Sequence, residues 1–513
     1  MEPGSTVSIK AAVATKAAGA LLLTLFAVNV YRAAMQSITP PEAATYNRFV
    51  GPSLQEALAL TTANNHVLNT FLARISTKIF HLTDLSLRLP SLMGGALYFW
   101  AVFRLARRAF GSGPLFLAAV ALLSLNPLVL DYLSMARGYG LALAFWMWAL
   151  DLMLEYLESD QPVVGTKLNL AGMCLGLSVA ANLAFLVPTI ALAVTFSLRP
   201  ALCQSSIGKT KQMEDTGRRF QDLWLPAFIT AFLILVIPAN HTDFATFDHP
   251  TFNQGATSLR QTLNSLTALS LYHGNPAGLP PWLAGAVRFG VAGLVIGALI
   301  LLMQSPKAIR SPQTVTEKTV EKTAENQMQA VRPVPRAGQA APSPGLPYLL
   351  AGTILVSFAG LELGHRVLRI AFPLGRSGLY FIPVLTLAGL CLVHRLNRRA
   401  VEWAMLLVPA VYLLQFNVNR YGEWPEYANA RSVIKAIRQD SKWRPVRAAA
   451  SPGLDQVLNY YRARYALGLW PQVQAVPGSG SFDYYALNRA DKSLVTARHL
   501  HVIWQDGNLT VAR

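Results

Sequence analysis

Glu42 is the only acid between residues 3 and 55, in the run Thr39-Pro40-Pro41-Glu42-Ala43-Ala44-Thr45-Tyr46. A carboxylate on a loop beside a bilayer can take the proton of an acceptor hydroxyl, although a surface Glu is ordinarily just solvated. His66 follows Asn64-Asn65, where Asn65 is placed to cap a helix and the imidazole can bond a phosphate or an acceptor. Arg137 lies in Ser134-Met135-Ala136-Arg137-Gly138-Tyr139-Gly140, and Arg366, Arg369 and Arg376 cluster further on. Guanidinium groups pair bidentately with phosphate oxygens, so these arginines are candidates for holding a phosphorylated ligand. The plainer reading is contact with lipid head groups, or an ion pair with Glu362. Cys174, Cys203 and Cys391 show neither metal-ligand spacing nor a disulfide framework. No tight His/Asp/Glu cluster indicates a metal, and no cofactor is indicated.

These residues sit between long apolar segments. The chain has 513 residues, 53% of them hydrophobic and only 14% charged, against about 25% charged in ordinary soluble proteins. Apolar runs near 17–30, 114–130, 138–154, 168–198, 223–238, 282–303, 347–363, 378–393 and 401–416 are almost free of charge. They predict a mainly α, polytopic membrane protein of about 11 transmembrane helices. The first helix covers about 12–34 and the second about 89–106. It reads as a retained helix and not a cleaved signal. The run 168–198 is too long for one straight span and divides near Asn182. The formal charge of +18 does not imply nucleic acid, because many Lys and Arg fall in short loops between spans, as the positive-inside rule expects.

Basic loops near 104–113, 199–222, 304–346 and 394–400 are expected inside the cell, which puts the N-terminus in the cytoplasm of a multi-pass inner-membrane protein. Loops 35–88, 131–138, 240–281 and 364–377 then fall outside, and outer arginines need a reason such as a bound phosphate. Residues 304–346 read as a disordered cytoplasmic linker. Residues 1–418 form the membrane domain and 419–513 a small extracytoplasmic α/β domain. The latter has helices expected near Glu426–Arg438 and Leu454–Tyr465 and strands near Ser493–Thr496 and Leu500–Trp504. In the first outer loop, Val67, Leu68, Phe71, Leu72, Ile75 and Ile79 follow helical spacing, predicting an amphipathic helix that lies in the interface or packs on the membrane domain.

Four elements in order resemble the GT-C glycosyltransferases, nearest the protein-mannosyltransferase and aminoarabinose-transferase branch. Pro41-Glu42-Ala43-Ala44-Thr45-Tyr46 resembles the Asp-Glu-Ala-x-x-Tyr element of that family's first outer loop. Asn64-Asn65-His66-Val67-Leu68, Leu87-Arg88-Leu89-Pro90-Ser91-Leu92 and Ala136-Arg137-Gly138-Tyr139 resemble the elements that follow it. The resemblance covers about residues 10–200 in order and spacing, and Leu374-Gly375-Arg376 before Phe381-Ile382-Pro383 is family-like. It implies transfer of a sugar from a polyprenyl-phosphate carrier to an extracytoplasmic acceptor by one inverting displacement. Glu42 would act on the acceptor; Arg137, Arg366 and Arg376 would hold the donor phosphate; Asn65, His66 and Tyr139 would line the site. The family places Asp immediately before the Glu, and here that position is Pro41. Either Glu42 takes over, or another outer acid such as Asp243 or Asp248 contributes, or the chain is a non-catalytic relative that binds lipid-linked sugar. A flippase for the lipid carrier is the reading from another class, but no internal repeat supports it.

Overall fold

The computed structural model describes residues 3–53, 65–158, 165–202, 209–240, 255–272 and 345–513 except 477–480, with isolated positions between 280 and 297. Most of the linker 304–346, both Asp243 and Asp248, and most of the apolar run 282–303 lie outside the described residues.

The membrane domain begins with α1 (Pro3–Met35), α2 (Pro40–Thr45, continued by a π-helical turn at Tyr46–Val50) and α3 (Val67–Ile79). It goes on with α4 (Asp84–Phe110), α5 (Pro114–Leu125), α6 (Pro127–Tyr132) and α7 (Tyr139–Glu158). Then come α8 (Gly165–Ala181), α9 (Leu186–Leu202), α10 (Lys209–Asn240), α11 (Leu259–Ser270), α12 (Gly345–Leu368), α13 (Phe381–Leu396), α14 (Arg399–Ala404) and α15 (Leu407–Leu414). Where about eleven spans were expected, five among the described residues are long and apolar enough to cross a bilayer: Ala11–Met35, Asp84–Phe110, Tyr139–Glu158, Gly217–Val236 and Gly345–Leu368. Shorter apolar helices lie at Pro114–Leu125, Leu183–Leu198 and Phe381–Leu396.

Local chemistry explains the breaks. Asn126 accepts from the Val129 N–H and Pro127 follows it, so one helix stops and α6 begins there. Asn182 takes an extended backbone and caps the turn at Leu183–Phe185, dividing 168–198 where expected. The expected span 401–416 is instead two short helices separated at Met405–Leu406.

Gly172 and Gly176, four residues apart on α8, face α10. A Cβ on Gly172 would collide with the Leu223 carbonyl oxygen, and one on Gly176 would lie 2.5 Å from that of Ala227. Small residues at this spacing let two helix backbones approach in a membrane. On α3 the arrangement is unusual. Asn69, Thr70, Ala73 and Ser76 face inward, while Phe71, Ile75 and Ile79 stay exposed. An outward apolar stripe is what an interfacial helix presents to lipid. Arg74 pins α3 to the π-helical turn through the carbonyls of Val50 (2.9 Å) and Pro52 (2.6 Å).

The C-terminal part holds α16 (Ala430–Asp440), β1 (Ala448–Ala450), α17 (Leu454–Arg464), β2 (Gln474–Ala475), β3 (Tyr484–Asn488), α18 (Ser493–Ala497), β4 (Val502–Asp506) and β5 (Leu509–Ala512). The sheet runs β2-β1-β3-β5-β4, parallel from β2 to β3 and antiparallel beyond. The strand expected at Ser493–Thr496 is the helix α18, and the next strand starts at Val502. Val446, Ala448, Val457, Leu458, Ala486 and Val511 form a core that continues into Ile38, Ala43 and Val50 of the first loop. The domain is thus built onto that loop.

Gly176→Val should cost about 1–3 kcal/mol by forcing α8 and α10 apart. Thermal unfolding of the detergent-solubilised protein would measure it, and an unchanged midpoint would refute the close approach.

Candidate functional site

The segment that positions Glu42 is a helix start. Pro40 and Pro41 occupy its first turn, where a missing N–H costs nothing. Glu42 reaches back to the Thr39 N–H (3.0 Å) and hydroxyl (2.9 Å), forming a capping box. Arg88 of α4 donates through Nε to Oε1 and through Nη2 to Oε2, each at 2.8 Å, and the Ala136 N–H adds a bond to Oε1 at 2.8 Å. Both side chains are fully buried. Burial opposes the charge on Glu42, but Arg88 and the N–H groups of Ala136 and Thr39 outweigh it and hold the carboxyl below its ordinary value. Both carboxylate oxygens are thus occupied by donors of the protein.

Arg88 is equally enclosed. It also donates to the carbonyls of Ala33 (3.1 Å), Gln36 (2.8 Å) and Ser37 (3.0 Å), closing the C-terminal end of α1. The Tyr421 ring lies 5.2 Å from this guanidinium and 5.1 Å from that of Arg32. Arg32 pairs with Asp131, which also accepts from Tyr272 (2.7 Å) and the Gly422 N–H (2.8 Å). None of Arg88, Arg32, Asp131 or Tyr421 stood out in the sequence as a site residue. Only the Leu-Arg-Leu-Pro-Ser motif hinted at Arg88.

Beside this closed network is a second constellation. Arg137 is buried and donates to the Thr45 hydroxyl (3.0 Å) and the Pro41 carbonyl (3.3 Å). Gly138 follows at φ +69, where a Cβ would strike the Ala181 carbonyl and stand 3.0 Å from the His66 Cβ. That turn therefore needs glycine, and it brings Arg137 and Tyr139 against His66. The His66 ring is 5.4 Å from Tyr139, and Tyr139 is 4.8 Å from Tyr132. Arg376, in the turn Gly375–Gly378, pairs with Glu423 at 2.5 Å, and Tyr132 donates to the other Glu423 oxygen at 2.5 Å.

Burial, then the charges of Arg137 and Arg376, push the His66 pKa well below its usual value, so the imidazole is neutral near pH 7. Burial and the charge of Arg376 push Arg137 down. Burial also works against Arg376, but Tyr132 and Glu423 overcome it and raise its pKa. Among the described residues, neither His66 ring nitrogen and neither amide atom of buried Asn69 has a partner. Arg137, Arg376, His66 and Tyr139 thus come together, with two guanidiniums and a neutral imidazole around one place. Asn65 sits at the edge and accepts from the Thr70 hydroxyl (3.0 Å); the α3 cap is His66, without a side-chain bond, and not Asn65 as expected. Arg366 is not brought in: its exposed side chain pairs with Glu362 one helical turn away. Among the described residues no three His, Cys, Asp or Glu side chains are grouped to hold a metal. Glu423, in a segment that looked like the start of a soluble tail, carried no sequence signal.

Residues 67–210 match the family described as dolichyl-phosphate-mannose-protein mannosyltransferase. The match bears out the resemblance read from the motifs; it includes Arg88, Arg137 and Tyr139 and leaves Glu42, Arg376 and Glu423 outside. No curated protein matches the chain in sequence. Among solved structures, ArnT from Cupriavidus metallidurans in the apo state aligns at 14% identity and a TM-score of 0.46, over 96% of this chain and 97% of that one. The same protein bound to undecaprenyl phosphate gives 15% and 0.44 over the same shares. The Archaeoglobus fulgidus oligosaccharyltransferase in complex with Zn and sulfate gives 12% and 0.43, over 92% of this chain and 68% of that one.

Two titrations should mark the network. The unfolded chain protonates His66 below its ordinary 6.5 while the folded one resists, so stability should fall as the pH drops below 6.5. Glu42 contributes stability above its ordinary 4.5, and that contribution is lost as the pH falls through its lower folded value. Thermal unfolding against pH should show a shallower first loss in His66→Asn. Glu42→Gln should lose about 3–5 kcal/mol at pH 7, because Arg88 stays buried without its counter-charge. A Glu42→Gln protein with wild-type stability would refute this account of the pair.

Proposed function

We propose that this chain is a membrane glycosyltransferase of the GT-C kind that uses a lipid-phosphate sugar donor, and that it holds the donor phosphate between Arg137 and Arg376. Sugar then passes to an acceptor hydroxyl on the extracytoplasmic side. The observation that carries this reading is the linked geometry that joins the two arginines: Tyr139, two residues after Arg137, packs on His66 and on Tyr132, and Tyr132 and Arg376 share Glu423. A phosphate supplies the charge and the oxygens that guanidinium geometry fits. As the bond to the anomeric carbon breaks, negative charge builds on that phosphate, and cations already in place stabilise it without reorganising. Neutral His66 and Tyr139 would line the sugar's side of the site and offer hydrogen bonds to its hydroxyls.

An apolar groove of about 430 Å³ opens among α11, α13 and α15, lined by Leu263, Leu266, Phe381, Leu385, Val411 and Tyr412. It lies one short step from the arginines, because the Ser265 hydroxyl on α11 accepts from the Gly375 N–H at 2.9 Å. Its lining suits an isoprenoid tail whose phosphate would reach Arg376.

In this reading Glu42 serves by position. Its bonds fix the Ala136 backbone next to Arg137 and the start of α2, whose Pro41 carbonyl and Thr45 hydroxyl receive Arg137. Glu42 acting directly on the acceptor remains the competing assignment. It requires the carboxylate to leave Arg88.

Undecaprenyl phosphate binding to the purified, full-length protein tests the seat. Arg137→Gln and Arg376→Gln should each weaken binding by about 10–100-fold, the worth of a charged hydrogen bond. Arg366→Gln asks whether α12 joins the seat. If both Arg137→Gln and Arg376→Gln bind as the wild type does, the phosphate assignment fails.

A further inference from the structure

Three acids lie in or beside the two networks. Glu42 has both oxygens occupied by Arg88, Ala136 and Thr39. Asp131 is buried and bound by Arg32, Tyr272 and the Gly422 N–H. Glu423 differs from both. Its side chain is 22% exposed, and its partners Arg376 and Tyr132 both belong to the arginine constellation.

We propose that Glu423 is the catalytic residue that takes the acceptor's proton, supplying from the C-terminal side the carboxylate that Pro41 does not supply from the first loop. The proposal rests on the glycosyltransferase reading and specifies its acid. Position 41 lies against Arg137, since the Pro41 carbonyl accepts from that guanidinium. Glu423 reaches the same constellation from the opposite segment, through Arg376. Its backbone is held firmly: the Gly422 N–H is tied to Asp131, and the Tyr421 ring lies against both Arg32 and Arg88. A site built on such fixed points presents its side chain reproducibly.

The exchange at Arg376 then has a chemical consequence. A donor phosphate on Arg376 competes with the Glu423 carboxylate for one guanidinium. Released from that pair, Glu423 keeps the Tyr132 bond and has its other oxygen open to an acceptor hydroxyl. The acceptor's O–H proton passes to a Glu423 oxygen, and the acceptor oxygen forms its bond to the anomeric carbon. The bond from that carbon to the phosphate oxygen breaks, and its electron pair stays on the polyprenyl phosphate. Glu423 later returns the proton to water, and its carboxylate can close on Arg376 again as the phosphate leaves.

Full-length Glu423→Gln and Glu423→Asp proteins test this with two readouts. One is binding of undecaprenyl phosphate to the purified protein. The other is mass spectrometry of envelope glycans in a host lacking the gene and complemented with each variant. Glu423→Gln should bind undecaprenyl phosphate at least as tightly as wild type, because a competing anion is gone, and should lose product by about 100-fold or more. Glu423→Asp should recover part of that product. If Glu423→Gln makes normal product, Glu423 is only a counter-ion of Arg376. If it loses binding and unfolds at lower temperature, its role is structural; either result overturns the proposal. Failure of the wild-type protein to bind undecaprenyl phosphate would bring down the donor reading first, and the role of Glu423 with it.

Discussion

The fully buried guanidinium of Arg88 is the constraint on which the rest of the site depends. An unpaired charge in such a place costs several kcal/mol, so each donor of Arg88 must find an oxygen. Three are backbone carbonyls at the end of α1, where the helix dipole favours a cation, and Glu42 provides the counter-charge. Meeting that demand fixes the end of α1, the start of α2 and the entry of α4 relative to one another. It also fixes Ala136, which shares a Glu42 oxygen and so holds the turn that delivers Arg137.

The same network reaches into the C-terminal part of the chain. Tyr421 lies against both buried arginines, and Asp131 holds Gly422. A little further along, Asp84 at the start of α4 pairs with Arg431 and with Arg464 at 2.5 Å, and accepts from Tyr460 at 2.9 Å. The Ser37 hydroxyl donates to the Ala428 carbonyl at 2.7 Å. A carboxylate brought by residue 423 is therefore placed as firmly as one on the first loop would be. Sequence separation does not weaken a site when buried ion pairs clamp its segments together.

The legible parts of the chain were those governed by local pattern. Apolar runs located most helices, Asn182 marked a real break, and the spacing in 66–80 found α3, with Phe71, Ile75 and Ile79 outward while Val67, Leu68 and Leu72 turn toward the protein. Arg137, Arg376, His66 and Tyr139 stood out in the sequence as cations, a histidine and a tyrosine in loops beside a membrane, and the fold brings them near one another. The state of Glu42 was not legible, because it depends on Arg88, 46 residues away. Arg366 and Arg376 looked alike in sequence, and tertiary placement alone separates an exposed i,i+4 pair from an ion pair with distant Glu423. Ser493–Thr496 read as strand from Val and Thr, a weak and context-dependent preference, and folded as a helical turn.

Proline at position 41 makes sense once the local physics is separated from the chemistry. The first turn of α2 favours a residue without an N–H, and the backbone carbonyl at 41 serves Arg137 whatever side chain is attached. Nothing in the scaffold needs an acid there; only the transfer step would. In the proposed reading, Arg137 and Arg376 would stabilise the departing phosphate, and the partly buried carboxylate that residue 423 brings onto Arg376 would supply the acid. The acid is the part that the geometry allows to move from one segment to another.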